Sequence, residues 1–189
     1  MLFDPQLFRL QDGTQGVLRM ANKADAPSIL ETLIKIAETS PYILVTPEKA
    51  RKMSIEDEEK WIENNNSSPG SILIIACIGS QVVGITNFAS FTNPKNKHRG
   101  SLGTSVHPNF HRLGLGFQMM SLLLHNIRRM ETIRSVELDV MAPNSNAIKL
   151  YKKLGFEEVG RKPNAFLMTD GSYVDEIAMQ LWLHPKTQL

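Results

Sequence analysis

The chain contains one cysteine, Cys77, among 189 residues. That excludes an internal disulfide and any all-cysteine metal site. Charge of one sign is also lacking, because 21 Lys and Arg face 19 Asp and Glu, for a net charge of +2. No Lys/Arg block forms the basic stripe that a nucleic-acid binder needs. No apolar run approaches the ~18 residues of a membrane span. The opening Met-Leu-Phe-Asp-Pro has an early Asp4 and no long apolar core, unlike a secretory signal. A cytoplasmic protein with no nucleic-acid or membrane partner is expected. No metal-ligand spacing is present, so no metal is expected.

The hydrophobic fraction is 42% and the charged fraction 21%, which suits a globule with a full core. The length suits one domain over 1–189, with a core of about 16–183 and an N-terminal arm over 1–15. A short strand is predicted near Gly16–Met20. Asn22 then caps a helix, with Asp25 in its first turn. Ala26, Ile29, Leu30, Leu33, Ile34 and Ala37 recur at helical spacing. Thr46-Pro47 and Ser54-Ile55-Glu56-Asp57 are two further helix starts. The latter helix carries Trp61 and Ile62 and ends in the polar run from Asn64 to Gly70.

Strand texture follows. Ser71–Ile78 and Val82–Phe91 flank the Gly79-Ser80 turn as a hairpin. Gly100–Val106 is a third strand, stopped by Pro108. A helix is expected over Gly114–Met130. Val136, Leu138 and Val140 alternate with Glu137 and Asp139 in a half-buried strand. Ser145–Leu154 is a short amphipathic helix closed by Gly155. Two last strands flank Asp170-Gly171, a hairpin signal. The order reads β-α-α-β-β-β-α-β-α-β-β, an α/β or α+β layout on one sheet.

Val106-His107-Pro108-Asn109-Phe110-His111-Arg112-Leu113-Gly114-Leu115-Gly116 carries the most information. A strand ends at proline, and two glycines open an amphipathic helix. The unpaired N–H groups and the dipole of a helix start favour a phosphate. Glycines let that phosphate approach the backbone. A plain strand-to-helix turn without a ligand is the commoner reading of a lone Gly-x-Gly. A P-loop and a Rossmann fingerprint both fail on missing residues.

This segment resembles motif A of the GNAT acetyltransferases, V-x-P-x-aromatic-(R/Q)-x-x-G-x-(G/A). Val106, Pro108, Phe110, Gly114 and Gly116 match it. His111 stands where the family usually has Arg or Gln, Arg112 where a small residue is common, and Leu113 where Lys or Arg is common. Asn144-Ser145-Asn146-Ala147-Ile148-Lys149-Leu150-Tyr151-Lys152-Lys153-Leu154-Gly155-Phe156 is similar to the family's second signature, N-x-x-A-x-x-L-Y-x-x-x-G-F, at every specified position. The final hairpin also looks like the branch that includes polyamine and ribosomal-protein acetyltransferases.

The resemblance implies a mixed, mostly antiparallel sheet of six to seven strands flanked by helices, with a parallel splayed strand pair at the cofactor site. It implies acetyl-CoA as co-substrate, an amine acceptor and, in many members, a homodimer. His111, Arg112, Leu113, Gly114, Leu115 and Gly116 would bind the cofactor. A backbone N–H near Val106 would polarise the thioester carbonyl. Asn144 would reach the pantetheine arm, and Tyr151 would protonate the departing sulfur. From the residues alone, Tyr151 also reads as a core aromatic and Asn144 as an N-cap.

The base is not marked. Many relatives carry glutamate where Ser101 stands, leaving Glu137, Asp139 or His98 as acceptors through water. His107 and His125 read as surface residues, and Cys77 as a packing residue. The Glu56–Glu59 run reads either as helix N-terminal charge or as a lure for a cationic substrate. Thr39–Ser54, Thr92–Arg99 and the last hairpin are expected to face the acceptor. The main expectation is acetyl transfer to a primary amine, small or at a peptide N-terminus. The alternatives are a non-catalytic acyl-CoA sensor and an α/β nucleotide binder.

Overall fold

The computed structural model describes residues 3–183. The eight strands run β1 (Gln6–Arg9), β2 (Gln15–Met20), β3 (Ser71–Ile78), β4 (Gln81–Ser90), β5 (Arg99–Val106), β6 (Ser135–Met141), β7 (Glu157–Leu167) and β8 (Tyr173–Trp182). Among the described residues, five α-helices form: α1 (Ala26–Thr39), α2 (Pro47–Lys52), α3 (Ile55–Ser67), α4 (Leu115–Arg128) and α5 (Ser145–Lys153). The strands follow the order β1-β2-β3-β4-β5-β6-β8-β7 in one sheet. The β1–β2, β2–β3, β3–β4, β6–β8 and β7–β8 pairings are antiparallel, whereas β5 and β6 are parallel over Arg99–Ser101 against Ser135–Glu137. The chain forms two compact units. One comprises residues up to Ala89 with Gly103–Ile127, the other Ser90–Leu102 with the chain from Arg128 onward.

In the first unit, the N-terminal residues are not merely an arm. Gln6–Arg9 pairs with Gln15–Leu18, and Phe8 and Leu10 are buried. This supplies the strand beyond the six or seven expected. Its signal is weak because a four-residue strand with one buried side chain shows no alternation to read. Gly16 is required on β2, since a Cβ there would collide with the Cys77 carbonyl and the Phe8 ring. Cys77 itself is buried in the core, as its apolar strand implied.

Asn22 caps a single 3₁₀ turn rather than α1 directly, accepting from Ala24 N at 3.0 Å. Asp25 closes that capping box and receives the Arg19 guanidinium at 2.6 and 2.7 Å. The Thr46 and Ser54 caps form as the sequence indicates, accepting from Lys49 N and Asp57 N. α3 runs on through the asparagines to Ser67. Asn65 bonds the Trp61 carbonyl and Asn66 the Ala21 carbonyl, which turns expected helix breakers into anchors.

α1 is fastened to β4 at one residue. Ser28 Oγ accepts from Val82 N at 2.9 Å, and Thr32 Oγ1 donates to the Val82 carbonyl. α4 lies flush against the sheet because β4 has Gly84 beneath it. A Cβ there would meet the Met119 sulfur at 2.5 Å. α4 begins at Leu115 and ends at Arg128, a shorter span than the expected Gly114–Met130. Gly114 has φ 88°, which no right-handed helix accepts.

In the second unit, β6 lies between β5 and β8, and β7 forms the sheet edge. The β7–β8 hairpin turns at Asp170-Gly171 as expected. Asp170 accepts from Ser172 N at 2.9 Å, and Gly171 has φ 84°. Arg161 pairs with Glu158 and Asp175, and Lys162 with Glu176, across exposed surface. Such exposed pairs contribute little to stability, because solvent screens them. Among the described residues, no helix is long and apolar enough to cross a membrane.

Candidate active site

The glycine segment forms a built turn. β5 ends at Val106, a 3₁₀ turn covers Pro108–Phe110, and α4 begins at Leu115. His107 is buried, not on the surface as expected. Its N–H donates to the Val83 carbonyl at 2.9 Å, and its Nδ1 accepts from Asn109 N at 3.3 Å. Burial, and then Lys35, hold the His107 pKa below its ordinary value. The ring is therefore neutral at pH 7 and suited to accept that bond.

His111 Nε2 lies 2.8 Å from the Val106 carbonyl oxygen. The side chain that replaces the family's Arg or Gln thus ties the turn to the end of β5. Arg112 has φ 60° and Gly114 φ 88°. His111 before them is extended, so these two left-handed residues bend the chain through a turn whose successive N–H groups can form an anion nest. At 112 the left-handed backbone gives a reason for the small residue common in relatives, and arginine there costs about 1 kcal/mol or more. Leu113 gives its carbonyl to Gln11 N at 3.1 Å, and Gln118 Nε2 donates to the Arg9 carbonyl at 3.0 Å. The β1–β2 hairpin therefore holds this turn. That support had no sequence signal, because it rests on two backbone carbonyls.

The next element adds helix dipole to the nest, as Leu115 and Gly116 begin α4. Gly114 leaves the approach open, with only Gln11 Nε2 within 4 Å of where a Cβ would stand. This cradle fits the phosphates of a nucleotide cofactor.

A cavity of about 280 Å³ lies in the same unit. Ile29 and Leu33 of α1, Met53, Trp61 of α3 and Ile85 of β4 form its apolar wall. Asn87 of β4 and Gly103, Thr104 and Ser105 of β5 form its polar wall. The cavity thus reaches the residue before Val106. Thr86 orders the β5 side, donating to the Gly103 carbonyl at 2.9 Å and lying 2.7 Å from Thr104 Oγ1. Gly103 leaves room for Asn87, whose Oδ1 would stand 3.0 Å from an added Cβ. Of the stretches expected to face the acceptor, Thr39–Ser54 contributes Met53.

α3 also places Asp57 and Glu58 on this cavity. Glu58 is 3% exposed, and burial alone pushes its carboxyl up to about 7. Reading the Glu56–Glu59 run as solvated helix charge is correct for exposed Glu56 and Asp57 and wrong for Glu58. A signal existed: Glu58, Trp61, Ile62 and Asn65 share one stripe at helical spacing, so Glu58 had to face inward.

In the second unit, Tyr151 of α5 is 9% exposed, with its ring 6.1 Å from that of Phe156. Burial raises its pKa, so the phenol stays protonated at neutral pH. Asn144 caps α5, its Oδ1 accepting from Ala147 N at 3.3 Å. The candidate bases fare differently. Glu137 is paired with Arg99 at 3.1 Å and accepts from Gln180 at 3.2 Å. Asp139 is exposed, its pKa raised by burial and then by Glu176. His98 gives its carbonyl to Arg134 N at 2.7 Å. Ser101 is exposed on β5, and so is His125 on α4.

Residues 31–156 match the model of the acetyltransferase (GNAT) family. The chain is 28% identical over 157 residues to the L-amino acid N-acetyltransferase AaaT of Escherichia coli K12, covering 79% of this chain and 96% of that protein. It is 35% identical over 77 residues to the ribosomal protein bS18-alanine N-acetyltransferase of the same organism, covering 41% of this chain and 51% of that one. A GNAT-family acetyltransferase structure from Streptococcus pneumoniae superposes with a TM-score of 0.83 at 21% identity, covering 87% of this chain and 98% of that one. The yncA structure of Salmonella typhimurium, determined with acetyl-CoA, gives 0.79 at 22% identity, covering 92% and 97%. The two signatures, the strand order and the family match agree: the chain belongs to the acetyltransferase (GNAT) family and is an acyl-CoA-dependent N-acyltransferase.

Proposed function

We propose that the chain acts as a single catalytic domain that transfers the acetyl group of acetyl-CoA directly to a primary amine. The acceptor is a small amine, an amino acid, a polyamine or a peptide N-terminus, which spans the acceptors named for its relatives. The observation that carries this reading is the nest at Arg112 and Gly114 opening α4, inside the matched family region.

Bound acetyl-CoA supplies the acetyl group and a thiolate leaving group. The chain's own residues supply the rest. Backbone N–H groups of Arg112, Leu113, Gly114, Leu115 and Gly116 hold phosphate, assisted by the dipole of α4. His111 holds the turn through the Val106 carbonyl. The Val106 N–H serves as the oxyanion donor. Tyr151, protonated because it is buried, gives its proton to the departing sulfur. Asn144 fixes the start of α5 by capping it, with its amide as a contact for the pantetheine arm. Location in the cytoplasm and homodimerisation belong to the same reading, supported by composition and family resemblance. The near-balanced charge supports a reading without a nucleic-acid partner.

The test is CoA-thiol release from acetyl-CoA across polyamines, amino acids, aminoglycosides and short peptides with free N-termini. Amine-dependent release is expected. Acetyl-CoA binding without release for any amine would instead favour a non-catalytic sensor, and absence of binding would remove the cofactor reading.

A further inference from the structure

Glu58 is a buried carboxyl that the roles above leave unused. None of the described residues donates a hydrogen bond to its side chain or forms an ion pair with it, while burial is nearly complete. A buried acid without a partner costs stability unless something else compensates. Loss to a Gln or Leu would relieve that cost, so a use for the carboxylate is called for.

The cavity says what that use is. It presents one buried carboxylate, an apolar wall of Ile29, Leu33, Met53, Trp61 and Ile85, and no Lys, Arg or His. Asp57 is the one other titratable group lining it. α1, β4 and β5 show it only Ile29, Leu33, Ile85, Asn87, Thr104 and Ser105 beside Gly103. An ammonium group is the complement of such a site. A carboxylate on the carbon next to the nitrogen would meet two acids and no cation. We propose that Glu58 is the general base of the transfer, receiving a small primary amine with an apolar body and no α-carboxylate. This rests on the reading under Proposed function and narrows its acceptor class.

The acceptor enters as an ammonium ion, with an ordinary pKa of about 10.4. Desolvation lowers the pKa of an amine and raises that of a carboxyl, so both shifts in this cavity favour the neutral pair. Glu58 takes one proton from the ammonium and leaves a nitrogen lone pair free. That lone pair forms the C–N bond as the C–S bond breaks. The sulfur leaves as a thiolate and takes up, through solvent, the second proton lost from nitrogen. Glu58 returns its own proton to solvent when the amide leaves. The cavity ends at Ser105, one residue before the proposed oxyanion donor.

The experiment pairs acceptors that differ only in the carboxylate: phenethylamine against L-phenylalanine, and isopentylamine against L-leucine. Wild-type protein, Glu58→Gln and Glu58→Asp are compared for kcat/KM, its pH profile and calorimetric amine binding. The amines are expected to exceed their amino acids at least tenfold. Glu58→Gln should lower kcat/KM for phenethylamine about 100-fold or more, remove its acid limb near pH 7 and leave the acetyl-CoA KM unchanged. Glu58→Asp should recover part of the rate and retain a limb. Phenethylamine binding heat in the wild type that Glu58→Gln abolishes supports the amine site even if no acceptor turns over, in which case the transferase reading fails instead. Retained turnover or binding in Glu58→Gln, within threefold, overturns the assignment. So does a preference for the amino acids, or no amine binding to the wild type with acetyl-CoA present.

Discussion

Replacing Glu58 by glutamine should make the protein more stable, and the gain should depend on pH. The Glu58 carboxyl sits at about 7 in the folded chain against an ordinary 4.5. Between those values the folded state holds a proton that the unfolded state has lost. Unfolding free energy therefore falls as pH rises through that window, then levels off above it. Each pH unit in the window is worth about 1.4 kcal/mol, so the ionised carboxylate costs roughly 3 kcal/mol above pH 7. The residue is 3% exposed but its carboxylate opens on the cavity, where water screens part of the charge, so roughly 3 kcal/mol is an upper bound. Glutamine matches the protonated acid in size and cannot ionise. The variant should equal the wild type near pH 4 and exceed it by up to roughly 3 kcal/mol at pH 8. For a chain of this length that is about 6–12 °C in Tm. Urea unfolding at pH 4, 6 and 8 reads it directly. A wild-type-to-variant difference that stays flat across this range would show that Glu58 is solvated or paired, and the amine site would lose its physical basis.

Tyr151→Phe should lower kcat by about 10²-fold or more with acetyl-CoA affinity unchanged, since only the donated proton is removed; stopped-flow thiol release with calorimetry separates the two. Gly114→Val forces a β-branched residue to φ 88°. It should cost about 1–3 kcal/mol and raise the acetyl-CoA KM more than the acceptor KM, as steady-state kinetics with each substrate varied will show. Phe8→Ala removes a ring that is 4% exposed from the β1 strand. It should cost about 3–5 kcal/mol in urea unfolding. It should also weaken acetyl-CoA binding, because Arg9 and Gln11 beside it hold the turn before α4. An unchanged acetyl-CoA affinity would mean that the turn stands without the hairpin.

What the sequence shows and what it hides divide along physical lines. β3, with its unbroken apolar run, and β6, with its alternation, were legible to within a residue, since burial on two faces or one writes a distinct pattern. The Thr46 and Ser54 caps and the Asp170-Gly171 turn were legible because their chemistry is local. β1 was not, and the start of α4 falls one residue later than expected. The first is too short to show a period. The second depends on a left-handed Gly114, where glycine serves as hinge and not as first helical residue. The first two residues and residues 184–189, which the expected domain over 1–189 includes, lie outside the described residues.

The acceptor side shows the same division more sharply. The cofactor signatures are contiguous, because a turn and a helix start recognise phosphate through consecutive backbone N–H groups. The cavity instead gathers Ile29, Met53, Glu58, Asn87 and Thr104 from five places in the chain, and only folding sets them around one space. With Ser101 where many relatives carry glutamate, the sequence leaves Glu137, Asp139 or His98 as acceptors through water. In this chain Glu137 is paired with Arg99 and Asp139 is exposed, whereas Glu58 approaches from α3 with no partner. A carboxylate is useful as a base when it is dry, unpaired and beside the acceptor. Those three properties come from tertiary packing, so a charged run such as Glu56–Glu59 shows its buried member only through the helical stripe it shares with Trp61 and Ile62.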